Sequence, residues 1–186
     1  MASSSLQLQD RRIVLGVCGG IAAYKVVELV RRLVDGGAQV QVVMTANALH
    51  FVGAASFQAV SGRPVRNALW DEAAEAAMGH IELARWAQSV LIAPATANTL
   101  AKVAHGFADD LLSTLCLATT APLVVAPAMN HRMWSHPATQ ANLATLRARG
   151  VQVIGPDDGP QACGEFGPGR LREPEAIITE LLEAIP

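Results

Sequence analysis

The sequence has no excess of charge of either sign, few cysteines, and no uninterrupted apolar run long enough to span a membrane. Fourteen Lys and Arg stand against sixteen Asp and Glu, a formal net charge of −2. That balance offers no basic surface for nucleic acid and no patch for an anionic membrane. Only Cys18, Cys116 and Cys163 occur, odd in number and far apart. None forms a CxxC pair or joins a histidine at metal-site spacing, so no metal is expected and a reducing cytoplasm is the simple inference. The opening MASSSLQLQD lacks a basic region followed by an apolar core, so it is not a signal peptide. It reads as a flexible tail over residues 1–12. Residues Leu111 to Asn130 carry no charge, but Pro122 and Pro127 interrupt the run and four Ser and Thr residues dilute it. A helix, a turn and a buried strand are predicted there instead of a membrane span.

What is present is apolar residue in a regular rhythm. At 186 residues and 51% apolar content, one domain over 13–186 with a full core is expected. Short apolar runs predict strands at Ile13–Cys18, Val40–Met44, Ser89–Ala93, Leu123–Ala126 and Val151–Ile154. Between them, helical spacing predicts helices over Ile21–Asp35, Phe51–Val60, Thr96–Ala104, Asp109–Ala118 and Thr139–Arg149. A last helix is predicted from Pro174 to Ala184. Strand and helix in alternation imply a parallel sheet covered on both faces. The expected fold is α/β, a Rossmann-like (flavodoxin-like) doubly wound sheet in three layers. Ligands of such sheets bind beyond the carboxyl ends of the strands.

Three predicted strand ends carry candidate ligand groups. The first runs into Gly16-Val17-Cys18-Gly19-Gly20, where glycines permit a tight turn and a helix start offers free amides to an anion. The dinucleotide fingerprint G-x-G-x-x-G is absent, because Cys18 takes the place of its second glycine. Thr45 stands where an acid would grip a ribose, and a threonine can donate to a phosphate oxygen instead. These departures favour a mononucleotide, with a ligand-free turn as the alternative. The second, PATANT, places Thr96, Ala97, Asn98 and Thr99 at another helix start, as ligand groups or as a helix cap. The third is PAMNHRMW, Pro127–Trp134, with Asn130 just past the fourth strand. Its amide can hold a carboxylate in register, or it can shape the loop.

Other groups divide more simply. His50, His105, His131 and His136 have no partner at motif spacing and read as surface or structural. Asp109 and Asp110 read as acids at a helix start. Residues Gly155–Gly169 contain eight Gly or Pro in fifteen positions, which predicts a long mobile loop, and Cys163 sits in it.

PAMNHRMW resembles the PxMNxxMW motif of the flavin-dependent cysteine decarboxylases. GVCGGIAAYK and PATANT resemble the two flavin loops of that family. GHIELA resembles its HIxLA segment, and ACGEFGPGRL its substrate clamp ACGExGxGRM, with Leu171 replacing a methionine. The resemblance implies FMN as cofactor, held by Gly16, Cys18, Gly19, Gly20, Thr45, Thr96, Ala97, Asn98, Thr99 and Ala128. It implies His80, Asn130 and Cys163 as catalytic residues. It implies Asn130, Met133, Ala162 and Gly164 as substrate contacts. Arg170 and Arg172 are candidates for a substrate phosphate by their proximity to the clamp. It also implies FMN bound between subunits of a homo-oligomer, a trimer or a dodecamer.

The implied activity is decarboxylation of 4′-phospho-N-pantothenoylcysteine to 4′-phosphopantetheine in coenzyme A synthesis. A plain cysteine carboxylate has no electron sink beside its α-carbon, and a flavin removes that obstacle by oxidation. His80 would assist the oxidation, Asn130 would orient the carboxylate, and Cys163 would supply a proton during reduction of the enethiol. The alternative is a decarboxylase of peptides ending in cysteine, whose product is the enethiol and which needs no reducing cysteine. A non-catalytic flavoprotein subunit is the third reading. Bacterial coenzyme A enzymes of this family often continue into a synthetase, whereas this sequence stops at Pro186.

Overall fold

Alternate residues of the first strand build two cores at once. The computed structural model describes residues 8–69 and 79–185. In β1 (Arg12–Val17), Ile13, Leu15 and Val17 face one side of the sheet and Val14 faces the other. All four are fully buried, which is why the strand reads as a continuous apolar run. The other strands of the sheet are β2 (Gln39–Met44), β3 (Ser89–Ala95), β4 (Leu123–Pro127) and β5 (Gln152–Val153). They run parallel in the order β2-β1-β3-β4-β5. This is the expected α/β doubly wound sheet, and the strand order reverses between β1 and β3.

Helices cover both faces. On one side lie α1 (Ala23–Asp35), α2 (Ala54–Ser61) and the last helix of the described chain. Their Val26, Leu29, Val30, Leu33 and Phe57 pack with Ile177 and Leu181 against the β1 face. On the other lie α3 (His80–Trp86), α4 (Ala97–His105), α5 (Leu111–Ala118) and, beyond the short α6 (His131–Ser135), α7 (Pro137–Ala148). Leu83, Leu100, Leu112, Leu115, Leu143 and Leu146 pack there with Val14 and Ile92. The last helix, α8, has the predicted bounds Pro174–Ala184.

Three expectations need correction. The stretch read as a long loop is an antiparallel hairpin, β6 (Asp157–Pro160) with β7 (Phe166–Arg170). Its glycines serve close approach. Gly169 has φ +129°, and a Cβ there would lie 2.1 Å from the Met129 carbonyl oxygen. A Cβ on Gly167 would lie 3.0 Å from that of His131. The Met129 amide donates to the Gly169 carbonyl at 2.9 Å, tying the hairpin to the β4 loop. Residues 8–12, expected to belong to a flexible tail over 1–12, are ordered. Leu8 is buried in the core, the Asp10 amide donates to Gly37, and Arg12 begins β1; residues 1–7 lie outside the described residues. Finally, α3 and α6 are helices of seven and five residues with no counterpart among the predicted ones. Elements that short give no sustained period to read.

Candidate active site

A cavity of about 1070 Å³ opens beyond the carboxyl ends of β1 and β3, at the reversal of strand order. Its floor comes from three strand ends. Gly19 and Gly20 stand between β1 and α1, Thr45 follows β2, and Thr96 to Thr99 begin α4. Ala128, Asn130 and Met133 come from the segment after β4, and Ala162 and Cys163 from the hairpin tip. The structure therefore brings most of the predicted site residues to one cavity.

Each wall has a local physical cause. Gly19 passes against Asn47, where a Cβ would stand 2.7 Å from the Asn47 backbone. Thr96 caps α4, its hydroxyl oxygen accepting from the Thr99 amide at 3.3 Å. Asp110 caps α5 in a reciprocal capping box with Ser113, its carboxylate accepting from the Ser113 amide at 2.8 Å. Lys102 donates to Asp109 and Asp110, at 2.8 Å each. Burial pushes the Asp110 carboxyl up, but the Lys102 ammonium and the Ser113 donors outweigh it and hold the group below its ordinary range. The reading of this pair as helix-start acids is correct for Asp110, and the residue also lines the cavity with Lys102. At the other end Glu173 accepts from Lys25 at 2.9 Å and from Arg170 at 2.6 Å. Lys25 and Arg170 both line the cavity. Arg172 does not, because it is turned to Asp157 at 2.8 Å and to Glu180.

Besides Arg172, four predicted site residues are not among those that line the cavity. Gly16 lies within β1, and a Cβ there would stand 2.5 Å from the Leu112 side chain, so its glycine lets α5 pack on the sheet. Cys18 is buried and accepts from the Thr99 hydroxyl at 3.1 Å. Burial pushes its thiol up to about 11, which makes it an inert, protonated group. Gly164 occupies the hairpin turn with φ +84°. His80 opens α3, half-buried, and does not line the cavity of the single chain.

The hairpin tip and the β4 loop form one polar cluster. The Asn130 Oδ1 accepts from the Arg132 amide at 2.9 Å, capping α6. Its Nδ2 faces Gln161 Oε1 at 3.2 Å, Glu165 Oε2 at 3.2 Å and Cys163 Sγ at 3.4 Å. The Cys163 thiol donates to Glu165 at 3.4 Å. Gln161 Oε1 also accepts from the His131 amide at 3.0 Å, and Gln161 Nε2 donates to the Pro168 carbonyl at 3.0 Å. Hydrogen bonds from Asn130 and Cys163, with the charges of His131 and Arg132 near by, hold the Glu165 carboxyl below its ordinary range. Gln161 and Glu165 were not found from the sequence, and His131 was read as surface or structural. Their contacts join positions about thirty residues apart, which no local spacing reveals. Asn130 is thus both a loop-shaping cap and a donor beside the cavity.

The profile of the Flavoprotein family matches residues 1–185. The chain belongs to this family. Among curated relatives, the coenzyme A biosynthesis bifunctional protein CoaBC of Escherichia coli strain K12 is 58% identical over 173 residues. These are 93% of this chain and 43% of that protein. CoaBC of Bacillus subtilis strain 168 is 46% identical, covering 92% of this chain and 42% of its own length. The chain therefore spans less than half the length of these relatives. Among solved structures, a mutant PPC decarboxylase complexed with pantothenoylaminoethenethiol superposes with a TM-score of 0.81 at 34% identity. That match covers 93% of this chain and 97% of the other. The FMN-dependent cysteine decarboxylase SpaF superposes with a TM-score of 0.79 at 37% identity, covering 95% and 98%. Among the described residues of this flavoprotein, no group of three or more His, Cys, Asp or Glu can hold a metal ion. No described helix is long and apolar enough to cross a membrane.

Proposed function

We propose that this flavoprotein is an FMN-dependent decarboxylase of a cysteine carboxylate, acting on 4′-phospho-N-pantothenoylcysteine to give 4′-phosphopantetheine. The observation that carries this reading is the meeting of Asn130 and Cys163 at 3.4 Å on one cavity wall. A hydrogen-bond donor for a carboxylate and a thiol proton source stand side by side, as removal of carbon dioxide followed by protonation requires. Similarity to the CoaBC proteins and to the PPC decarboxylase structure supports the substrate.

The cavity suits FMN on its own evidence. The Thr45 hydroxyl is buried with no hydrogen-bond partner, an arrangement that a polar ligand group would relieve. Gly19 and Gly20 give backbone close to the ligand space, and the start of α4 turns its capped first turn toward it. Gly19, Gly20, Thr45, Thr96 to Thr99 and Ala128 would hold the cofactor. A bound flavin supplies reversible two-electron oxidation of the thiol-bearing carbon, which places a C=S sink β to the substrate's carboxylate. Asn130 orients that carboxylate through Nδ2, and its own position is fixed because Oδ1 is tied to the Arg132 amide. Met133 and Ala162 shape the space around the substrate. Cys163 gives a proton to the carbon that carried the carboxylate, and Arg170 with Lys25 offers positive charge to the phosphate.

His80 enters this reading through a homo-oligomer, trimeric or dodecameric, in which a neighbouring chain completes the cavity. Exposed apolar residues at the rim, Ile21, Tyr24 and Met133, support such a contact. A reducing cytoplasm suits the three free cysteines. The alternative substrate is a peptide ending in cysteine, and the likeness to SpaF, an FMN-dependent cysteine decarboxylase, supports both readings equally. The deciding experiment offers the purified protein, loaded with FMN, both phosphopantothenoylcysteine and a cysteine-terminated peptide. Mass spectrometry should show loss of carbon dioxide alone from the phosphorylated substrate, giving the saturated thiol. Loss of carbon dioxide and two hydrogens from the peptide only would establish the alternative.

A further inference from the structure

The cluster around Asn130 has one acceptor too many. An amide nitrogen carries two hydrogens, yet Asn130 Nδ2 has three acceptors within 3.4 Å: Gln161 Oε1, Glu165 Oε2 and Cys163 Sγ. No hydrogen is left for an incoming carboxylate, so one of these partners must yield when substrate binds. Gln161 is held at both ends of its own amide, by the His131 amide and by the Pro168 carbonyl, each at 3.0 Å. Its backbone is fixed as well, through the Glu165 carbonyl at 2.8 Å and the Gly164 amide at 2.9 Å. Glu165 is different. Its side chain is exposed, does not line the cavity, and meets the His131 ring only at 3.5 Å and the Arg132 guanidinium only at 3.6 Å.

We infer that Glu165 is an internal competitor for the carboxylate of the substrate, occupying the Asn130 amide until the substrate displaces it. The inference rests on the reading of Asn130 as the carboxylate-orienting residue. Glu165 presents the same chemical group as the substrate to the same donor. It also accepts the Cys163 thiol hydrogen at 3.4 Å. One displacement therefore frees two groups together, the Nδ2 hydrogen for the carboxylate and the thiol proton for later transfer. A ligand that lacks a carboxylate gains nothing from this exchange. Glu165 is thus a specificity-determining residue: it sets how strongly a carboxylate must bind, and it keeps the thiol proton engaged until one arrives.

The test uses the full chain loaded with FMN, as wild type, Glu165→Ala and Glu165→Gln. An exposed charged partner is worth little, so a modest change is expected. Glu165→Ala should lower KM for phosphopantothenoylcysteine about two- to five-fold. Glu165→Gln should fall between that variant and wild type, because a neutral amide oxygen still accepts but more weakly. Inhibition by 4′-phosphopantetheine, which has no carboxylate, should not strengthen. An unchanged or raised KM, or equal tightening of both ligands, overturns the inference. A wild type that releases no carbon dioxide from this substrate would instead sink the reading it rests on. Calorimetric titration with N-acetylcysteine against N-acetylcysteamine needs no turnover and decides the competition in that case. Tighter binding of the carboxylate-bearing probe alone in Glu165→Ala supports it, and identical affinities in variant and wild type reject it.

Discussion

Asn130 and Cys163 sit 33 positions apart in sequence and 3.4 Å apart in space. Each was legible from its own motif, Asn130 from PAMNHRMW and Cys163 from the clamp. Their meeting was not, because it depends on how the hairpin folds back over the β4 loop. Gln161 and Glu165 were missed, and His131 was read as surface or structural, for the same reason: each is an ordinary polar residue until its partner arrives. Thr45 shows the opposite case, a residue flagged by what is missing at a strand end, whose hydroxyl is then found buried without a hydrogen bond. Under the proposed function the two motif residues would have separable roles. Asn130→Ala should retain FMN, measured by its visible absorbance, while release of carbon dioxide falls at least about a hundredfold, the usual scale for losing an orienting group. Cys163→Ser should still release carbon dioxide but accumulate a product two mass units below the saturated thiol. Saturated thiol at wild-type yield from that variant would remove Cys163 from the proton-donor role.

At the scale of the element, apolar period read well wherever it ran long enough. The predicted strands match those observed within two residues at each end, and α8 matches at both. The hairpin was missed because Gly and Pro were counted as flexible turn formers. Here they answer a packing demand, since β7 passes directly under Met129 and His131. Its geometry makes Gly169 the most exacting position. An alanine there must accept φ +129° and a Cβ 2.1 Å from a backbone oxygen that cannot move without β4. Gly169→Ala should lower stability by about 2–4 kcal/mol in urea denaturation. The loss should be accompanied by displacement of the Cys163 tip, seen as faster alkylation of Cys163 by a soluble maleimide. Alanine at Gly53, the N-cap of α2, where nothing lies within 4 Å and φ is −69°, provides the control and should cost no more than about 1 kcal/mol, the scale of a weakened cap.

The strand order of the whole molecule decides where the ligand goes. β1 and β3 send their chains to opposite faces of the sheet, and the gap between the helices that follow, α1 and α4, becomes the cavity. This much followed from rhythm and strand-end chemistry, whereas the choice of flavin over another mononucleotide came from motif resemblance. A binding measurement separates the two contributions without any turnover. A ligand that binds only the folded state stabilises it by mass action, about 2.7 kcal/mol at a concentration one hundred times Kd. For a chain of this size that is roughly 5–10 °C in the unfolding midpoint. Flavin-stripped protein should therefore gain several degrees with FMN and less with riboflavin, which lacks the phosphate that the helix starts would hold. Thr45→Val removes the orphaned hydroxyl and keeps the shape. It should raise the unliganded midpoint slightly, because an unpaired buried group is gone, while shrinking the gain from FMN. Equal shifts with FMN and riboflavin in wild type would mean that the strand ends recognise the ring system alone, and the phosphate role of this end of the sheet would have to be given up.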